Sequence, residues 1–184
     1  MNEKQSFLKE VVILCDSREQ KNHHIIEKFK QADIKYEICK LPVGDYSFIM
    51  NDIDFRLQCA VERKANINEL WGNISKNRER FEKEIATIHS LTGSAHLIIE
   101  CCPDRDFLQN YTVPDKLMQL QGRHISDIGR YILGTLQSWG SSNRYCLNVH
   151  YMRGNEGTAN LLLSIFYYYY HNFHEHTKPL RKYE

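Results

Sequence analysis

The stretch RLQCAVERKANINEL, residues 56–70, decides the fold. Its first half is a strand-like apolar run that ends in Val61, and Glu62, Arg63 and Lys64 follow without a break. A charged triplet ordinarily belongs to a solvated helix face, yet this one closes what reads as a buried strand. On an extended backbone residues two apart point to the same face, so Glu62 and Lys64 leave the sheet together. From about Asn66 to Leu91 the spacing predicts a helix, with Leu70, Ile74, Phe81, Ile85 and Ile88 as its buried stripe and Gly93 suited to its end.

Outward from this stretch the punctuation is regular. EVVILCD is a β-branched run ending at Asp16, and NHHIIEKFKQA carries Ile25, Ile26 and Phe29 in helical register. IKYEICKLP alternates as a strand does, and GDYSFIM, the turn NDID and FRLQCAVE read as a two-stranded hairpin. AHLIIEC is a further buried strand. The segment from Cys102 to about Gly122 holds two prolines and no sustained period, which predicts a long surface connection with room for a short helix. Then come a helix with Ser126 as its N-cap, the strand RYCLNVHYM and a final helix over 159–176. The order strand, helix, three strands, helix, strand, helix, strand, helix predicts an α/β domain with a central mixed sheet flanked by helices.

The bulk properties bound the function. At 184 residues the chain has the length of one domain, 1–184. It has no run of the roughly 20 apolar residues that cross a bilayer, and its polar start lacks a secretory core, so the expectation is a soluble, cytoplasmic or otherwise intracellular protein. Lys and Arg number 24 against 23 Asp and Glu, a formal net charge of +1, so charge has to be read locally. No pair of the six cysteines has zinc-site spacing. Cys15, Cys39, Cys59, Cys101 and Cys146 fall in or beside strand-like runs and read as reduced core residues.

Three acids fall at strand ends: Asp16, Asp45 in LPVGDYSF, and Glu62. Carboxylates at the ends of neighbouring strands can converge on a hard divalent cation such as Mg²⁺, which takes oxygen ligands and keeps waters for a substrate phosphate. Lys64 then holds the attacking water or the phosphate. The competing reading is that Asp16 and Asp45 begin turns and that the triplet is an exposed strand end.

DSREQ, LPVGDY and VERK, in this order and followed by NRERFEKE, resemble the nuclease domain of the XPF family of structure-specific endonucleases, over about residues 11–173. The resemblance implies a restriction-endonuclease-like, PD-(D/E)XK core, a divalent metal (Mg²⁺ or Mn²⁺) and the nicking of branched or flapped DNA near the junction, in replication, recombination or repair. By position it implies Asp16, Asp45 and Glu62 as acidic, metal-holding residues and Lys64 as the catalytic lysine. Arg63, Arg18 and Glu19 are further members of the family's motifs. The family commonly has an aspartate where this chain has Asn68, with Glu69 next, and its larger members append helix-hairpin-helix units, which are not expected within these 184 residues. A stand-alone nuclease domain, bacterial, archaeal or phage-encoded, is the expectation. A DNA-binding or scaffolding subunit that keeps the fold without activity is the alternative.

Lys76, Arg78 and Arg80, in the helix beside the acids, can pair with DNA phosphates; against this stands a solvated helix with intrahelical ion pairs through Glu79, Glu82 and Glu84. The final helix is apolar or aromatic all round. Either the domain buries it fully or one face meets a second copy, and the resemblance implies a homodimer through it. His171, His174 and His176 have ligand-like spacing but read as a polar helix end.

Overall fold

The computed structural model describes residues 2–112 and 127–177. Its strands are β1 (Val12–Asp16), β2 (Lys35–Cys39), β3 (Tyr46–Met50), β4 (Ile53–Asp54), β5 (Val61–Lys64), β6 (Ala95–Ile99) and β7 (Leu147–Tyr151). They form one sheet in the order β2-β1-β3-β5-β6-β7, with β4 paired to β3. β1 runs parallel to β2, and β5, β6 and β7 run parallel to one another, while β3 is antiparallel to both β1 and β5. The end of β1, the start of β3 and the end of β5 therefore meet at one end of the sheet.

Helices α1 (Glu3–Glu10), α2 (His23–Gln31) and α7 (Thr158–Thr177) cover one face, and α3 (Ile67–Ser75), α4 (Arg78–Thr92) and α6 (Ile128–Gly140) the other; α5 (Arg105–Gln109) packs on α6. The strand period of two sorts the core. Leu97 and Ile99 pack with Ile74, Phe81 and Trp139, whereas Ile98 between them packs with Phe29, Phe48 and Phe166. Both faces of β6 are covered, which is why its sequence is a continuous apolar run. Gly129 lets α6 reach α5, because a Cβ there would lie 2.2 Å from the Leu108 carbonyl oxygen.

Most expected elements are present, and the differences have local causes. The helix expected over Asn66–Leu91 is two helices: the backbone N–H groups of Lys76 and Asn77 both return to the Gly72 carbonyl, and Asn73 and Ser75 bond the carbonyls of Glu69 and Trp71. Polar side chains competing for helical carbonyls next to a glycine favour such a break. The buried stripe survives it, since Leu70, Ile74, Phe81, Ile85 and Ile88 are all buried. FRLQCAVE is a strand only from Val61. Asp54 accepts from the N–H and Nε of Arg56, which turns the chain, and Phe55 stacks on Phe48 at 4.4 Å. The NDID turn is there, with Asn51 and Asp52 at φ 49° and 63°, as a tight hairpin requires. Helix α1 was not expected; a capping box between Asn2 and Gln5 starts it.

Gly93 ends α4 in the left-handed conformation. Ser126 lies outside the described residues, and Asp127 occupies the cap position of α6. All six cysteines are free, but only Cys15, Cys59 and Cys102 are buried. Cys39 and Cys146 are half-buried, and Cys101 is exposed because β6 has ended and the chain turns there with φ 54°. No helix among the described residues is long and apolar enough to cross a membrane.

The aromatic C-terminal helix is covered mainly from within. Leu162, Leu163 and Phe166 are buried, Phe7 of α1 lies 5.5 Å and 5.8 Å from the rings of Tyr167 and Tyr170, and Tyr169 meets Phe55 edge-on at 5.9 Å. Tyr168 remains 59% exposed.

Candidate active site

Two backbone hydrogen bonds stitch the acids together. The Asp16 N–H donates to the Asp45 carbonyl (2.8 Å) and the Asp45 N–H to the Val61 carbonyl (2.9 Å), so the end of β1, the entry to β3 and β5 lie side by side. Gly44 makes the approach possible: it sits at φ +67°, and a Cβ there would be 3.1 Å from the Val61 oxygen. Tyr46 pairs with Val61, so Asp45 and Glu62 share the opposite face of the sheet, with Lys64 two residues on.

On that face Lys64 Nζ donates to Glu62 Oε1 at 2.5 Å and lies 4.7 Å from the Phe81 ring centroid. Asp45 Oδ2 accepts from the Arg63 N–H at 2.7 Å. Burial pushes the Glu62 carboxyl up to about 7, with Glu84 on α4 adding repulsion and Lys64 opposing the rise. Burial and the charge of Glu62 push Asp45 well above the usual carboxylate range. Burial works to neutralise Lys64, but Glu62 and Asp45 more than offset it and hold the ammonium charged.

Two acids that repel each other in a desolvated corner, with one lysine between them, are short of positive charge. Glu62 Oε2 is buried without a hydrogen-bond partner among the described residues, an open acceptor at the centre of the site. Among the described residues no three or more His, Cys, Asp or Glu side chains form a ready metal cage. The donor set is a pair of hard carboxylates, and it fits an ion such as Mg²⁺ that is bound through one or two carboxylates and keeps its waters.

Asp16 is placed differently. Its Oδ1 accepts from the N–H and Nε of Arg18, and its Oδ2 from Arg18 Nη2 and the Leu41 N–H, at 2.7–2.9 Å. Burial raises its pKa, but these bonds prevail and hold the carboxyl below its ordinary value. Asp16 closes the turn after β1 and anchors Arg18, whose side chain is otherwise exposed.

Arg63 points to the other face, where its side chain is 1% exposed. Nη1 bonds Glu100 Oε2 at 2.6 Å, and Nη2 bonds Glu19 Oε1 and the Lys21 carbonyl, each at 3.0 Å. Glu100, just past β6, in turn accepts from Thr158 Oγ1 at 2.5 Å and bonds His24 Nε2 at 2.8 Å. Glu100, His24 and Thr158 were not among the expected site residues. The available signal was an acid closing the apolar run HLIIE, just as Glu62 closes its own run.

The remaining residues fall around this centre. Asn68 Oδ1 bonds the Tyr111 hydroxyl, and Glu69 Oε2 accepts from the Ala65 N–H at 3.2 Å while the Asn66 side chain caps the Glu69 N–H. Glu69 thus helps to cap α3. Arg78 is engaged with α6: it bonds the Tyr131 hydroxyl and Thr135 Oγ1 and lies over the Tyr131 and Trp139 rings. Lys76 and Arg80 are exposed. His171 approaches Glu3 at 3.7 Å, and the side chain of His176 lies outside the described residues.

A mixed sheet covered on both faces by helices, with acids and a lysine converging at one end, makes this a restriction-endonuclease-like fold. The model of the ERCC4 domain family matches residues 15–129, well over half of the chain, and the chain belongs to that family. Among solved structures it is similar to XPF from Aeropyrum pernix, at 18% identity and a TM-score of 0.54, over 84% of this chain and 64% of that one. It is likewise similar to XPF from Aeropyrum pernix in complex with DNA, at 16% identity and a TM-score of 0.55, over 92% of this chain and 68% of that one. The chain thus spans about two thirds of the length of these structures. No curated protein matches it.

Proposed function

We propose that this chain is a divalent-metal-dependent DNA endonuclease that hydrolyses one strand of branched or flapped DNA near the junction. The observation that carries the reading is the cluster of half-buried Asp45 with buried Glu62 and Lys64, in which Glu62 Oε2 has no partner among the described residues. Family membership and the fold shared with XPF of Aeropyrum pernix support it.

Asp45 and Glu62 would hold a Mg²⁺ or Mn²⁺ ion, with Asp16 next to them at the end of β1. When bound, such an ion polarises the phosphodiester and supplies an activated water. The chain's own residues do the rest. Lys64, fixed by Glu62 and kept protonated by both acids, presents a cation to the phosphate or to the attacking water, where negative charge develops as the P–O bond breaks. Burial of Glu62 and Lys64 limits the water that would screen these charges. Hydrolysis would leave a 5′-phosphate and a 3′-hydroxyl. Lys76 and Arg80, at the α3–α4 junction, are proposed to take phosphates of the bound DNA, with Arg78 holding that junction against α6. A homodimer through α7 would use its free aromatic surface around Tyr168.

The test is cleavage of end-labelled flap, fork, four-way junction and plain duplex DNA in Mg²⁺, in Mn²⁺ and in EDTA. Wild type is compared with Asp45→Ala, Glu62→Ala and Lys64→Ala, and matched RNA junctions are run beside the DNA. Nicks near the branch that need metal and vanish in all three variants are expected. DNA binding without cleavage in every protein would replace the enzyme with a recognition subunit.

A further inference from the structure

A buried ion network lies behind β5, on the face opposite Glu62 and Lys64. Arg63 and Glu100 are both nearly sealed from solvent, at 1% and 2% side-chain exposure, and removing two charges from water is costly even when they pair. Much of that cost is offset by partners: both oxygens of Glu100 and both terminal nitrogens of Arg63 are bonded, while Arg63 Nε is buried without a hydrogen-bond partner among the described residues. Glu100 uses Oε2 for Arg63 and Oε1 for Thr158 and His24, while Arg63 adds Glu19 and the Lys21 carbonyl. The network thus ties together the loop after β1, the first turn of α2, β5, the end of β6 and the first residue of α7.

What this arrangement fixes lies on the other face of the sheet. Residue 63 stands between Glu62 and Lys64, and its N–H donates to Asp45 Oδ2 at 2.7 Å. When its side chain is held rigidly behind the sheet, its backbone cannot rotate. Glu62 and Lys64 then keep their common direction, and the N–H stays aimed at Asp45. We infer that Glu100, held in turn by Thr158 and His24, is a positioning residue that sets the Asp45–Glu62 pair for its cation through the side chain and backbone of Arg63. The inference rests on the metal-dependent reading above. A group that orients the holders of an ion in this way usually matters about 10- to 100-fold in metal affinity or activity.

The experiment uses the full chain and three variants, Glu100→Gln, Thr158→Val and Thr158→Ser, at a temperature where circular dichroism shows all of them folded. Mn²⁺ binding is followed by calorimetry, DNA binding and cleavage are measured separately, and the exchange of the Arg63 amide proton is read by NMR. The expected result for Glu100→Gln is a 10- to 100-fold weaker Mn²⁺ affinity, a comparable loss of cleavage at saturating DNA, unchanged DNA affinity and faster exchange at Arg63. Thr158→Val should shift the same readouts in the same direction by less, and Thr158→Ser, which keeps the hydroxyl, should restore them. A lower melting temperature with Mn²⁺ affinity and Arg63 exchange both unchanged would overturn the inference and leave the network a purely structural one. Should wild type neither bind Mn²⁺ nor cut DNA, the nuclease reading fails by itself. Arg63 exchange then still decides whether Glu100 holds the Arg63–Asp45 contact, and unchanged exchange overturns that as well.

Discussion

Glu62 gives up its hydration at both oxygens and finds a protein partner for only one, the ammonium of Lys64. Its carboxyl is pushed up to about 7 from an ordinary 4.5, so the folded chain holds this proton more tightly than the unfolded chain does. The stabilisation that the proton provides is fully present below the unfolded value and is lost as pH rises through the folded one. In EDTA, the melting temperature of wild type relative to Glu62→Gln should therefore be more favourable at pH 5 than at pH 8. Millimolar Mn²⁺ should raise wild type at pH 8 and leave Glu62→Gln nearly unmoved, because only the carboxylate attracts the ion. Scanning calorimetry at the two pH values checks both; a wild-type-to-variant gap independent of pH would show that Glu62 is already compensated.

At the scale of elements, α1 decides how the aromatic C-terminal helix is used. Phe7 is buried and meets Phe48 at 6.3 Å as well as Tyr167 and Tyr170, so a single side chain joins α1, β3 and α7. Truncating it leaves a cavity that these rings are too constrained to fill. Phe7→Ala is expected to cost about 3–5 kcal/mol of unfolding free energy in a denaturant titration. It should also uncover the Tyr167–Tyr170 face, which increased binding of a hydrophobic dye would register. A loss under about 1 kcal/mol would mean that α1 is only loosely docked.

Across the whole molecule the near-balance of charge hides a local asymmetry. Asp16 and Glu62 are buried and Asp45 half-buried at the end of the sheet, while Lys76 and Arg80 stand exposed at the α3–α4 junction. In the proposed nuclease the first group would serve the ion and the second the phosphates. Phosphate contacts reveal themselves through salt, because each neutralised phosphate releases counterions. Lys76→Ala with Arg80→Ala should weaken binding to flap DNA and duplex alike. The slope of log affinity against log salt should fall by about 2, roughly one per lost contact. Lys30→Ala, on α2 across the sheet, should leave the slope as it was. Equal slopes in all three proteins would move the DNA path elsewhere.

The sequence by itself determined most of the succession of strands and helices, though not α1, β4 or the break between α3 and α4. It also determined the buried stripe through α3 and α4 and the sharing of one face by Glu62 and Lys64. Each follows from a short-range rule: the periods of 2 and 3.6, or the steric demands of glycine at a turn. The motif order was legible too, and family and fold follow from it. Tertiary structure alone decided that Asp16 is closed off by the Leu41 N–H, 25 residues away, and that Arg78 is spent on α6. It also decided that Arg63 is gripped from behind by Glu100, 37 residues away, with Thr158 further on still. Those partners are distant along the chain and meet only because β5, β6 and α7 stack side by side. A hydrogen bond depends on distance and angle between folded elements, and neither periodicity nor local spacing carries that information.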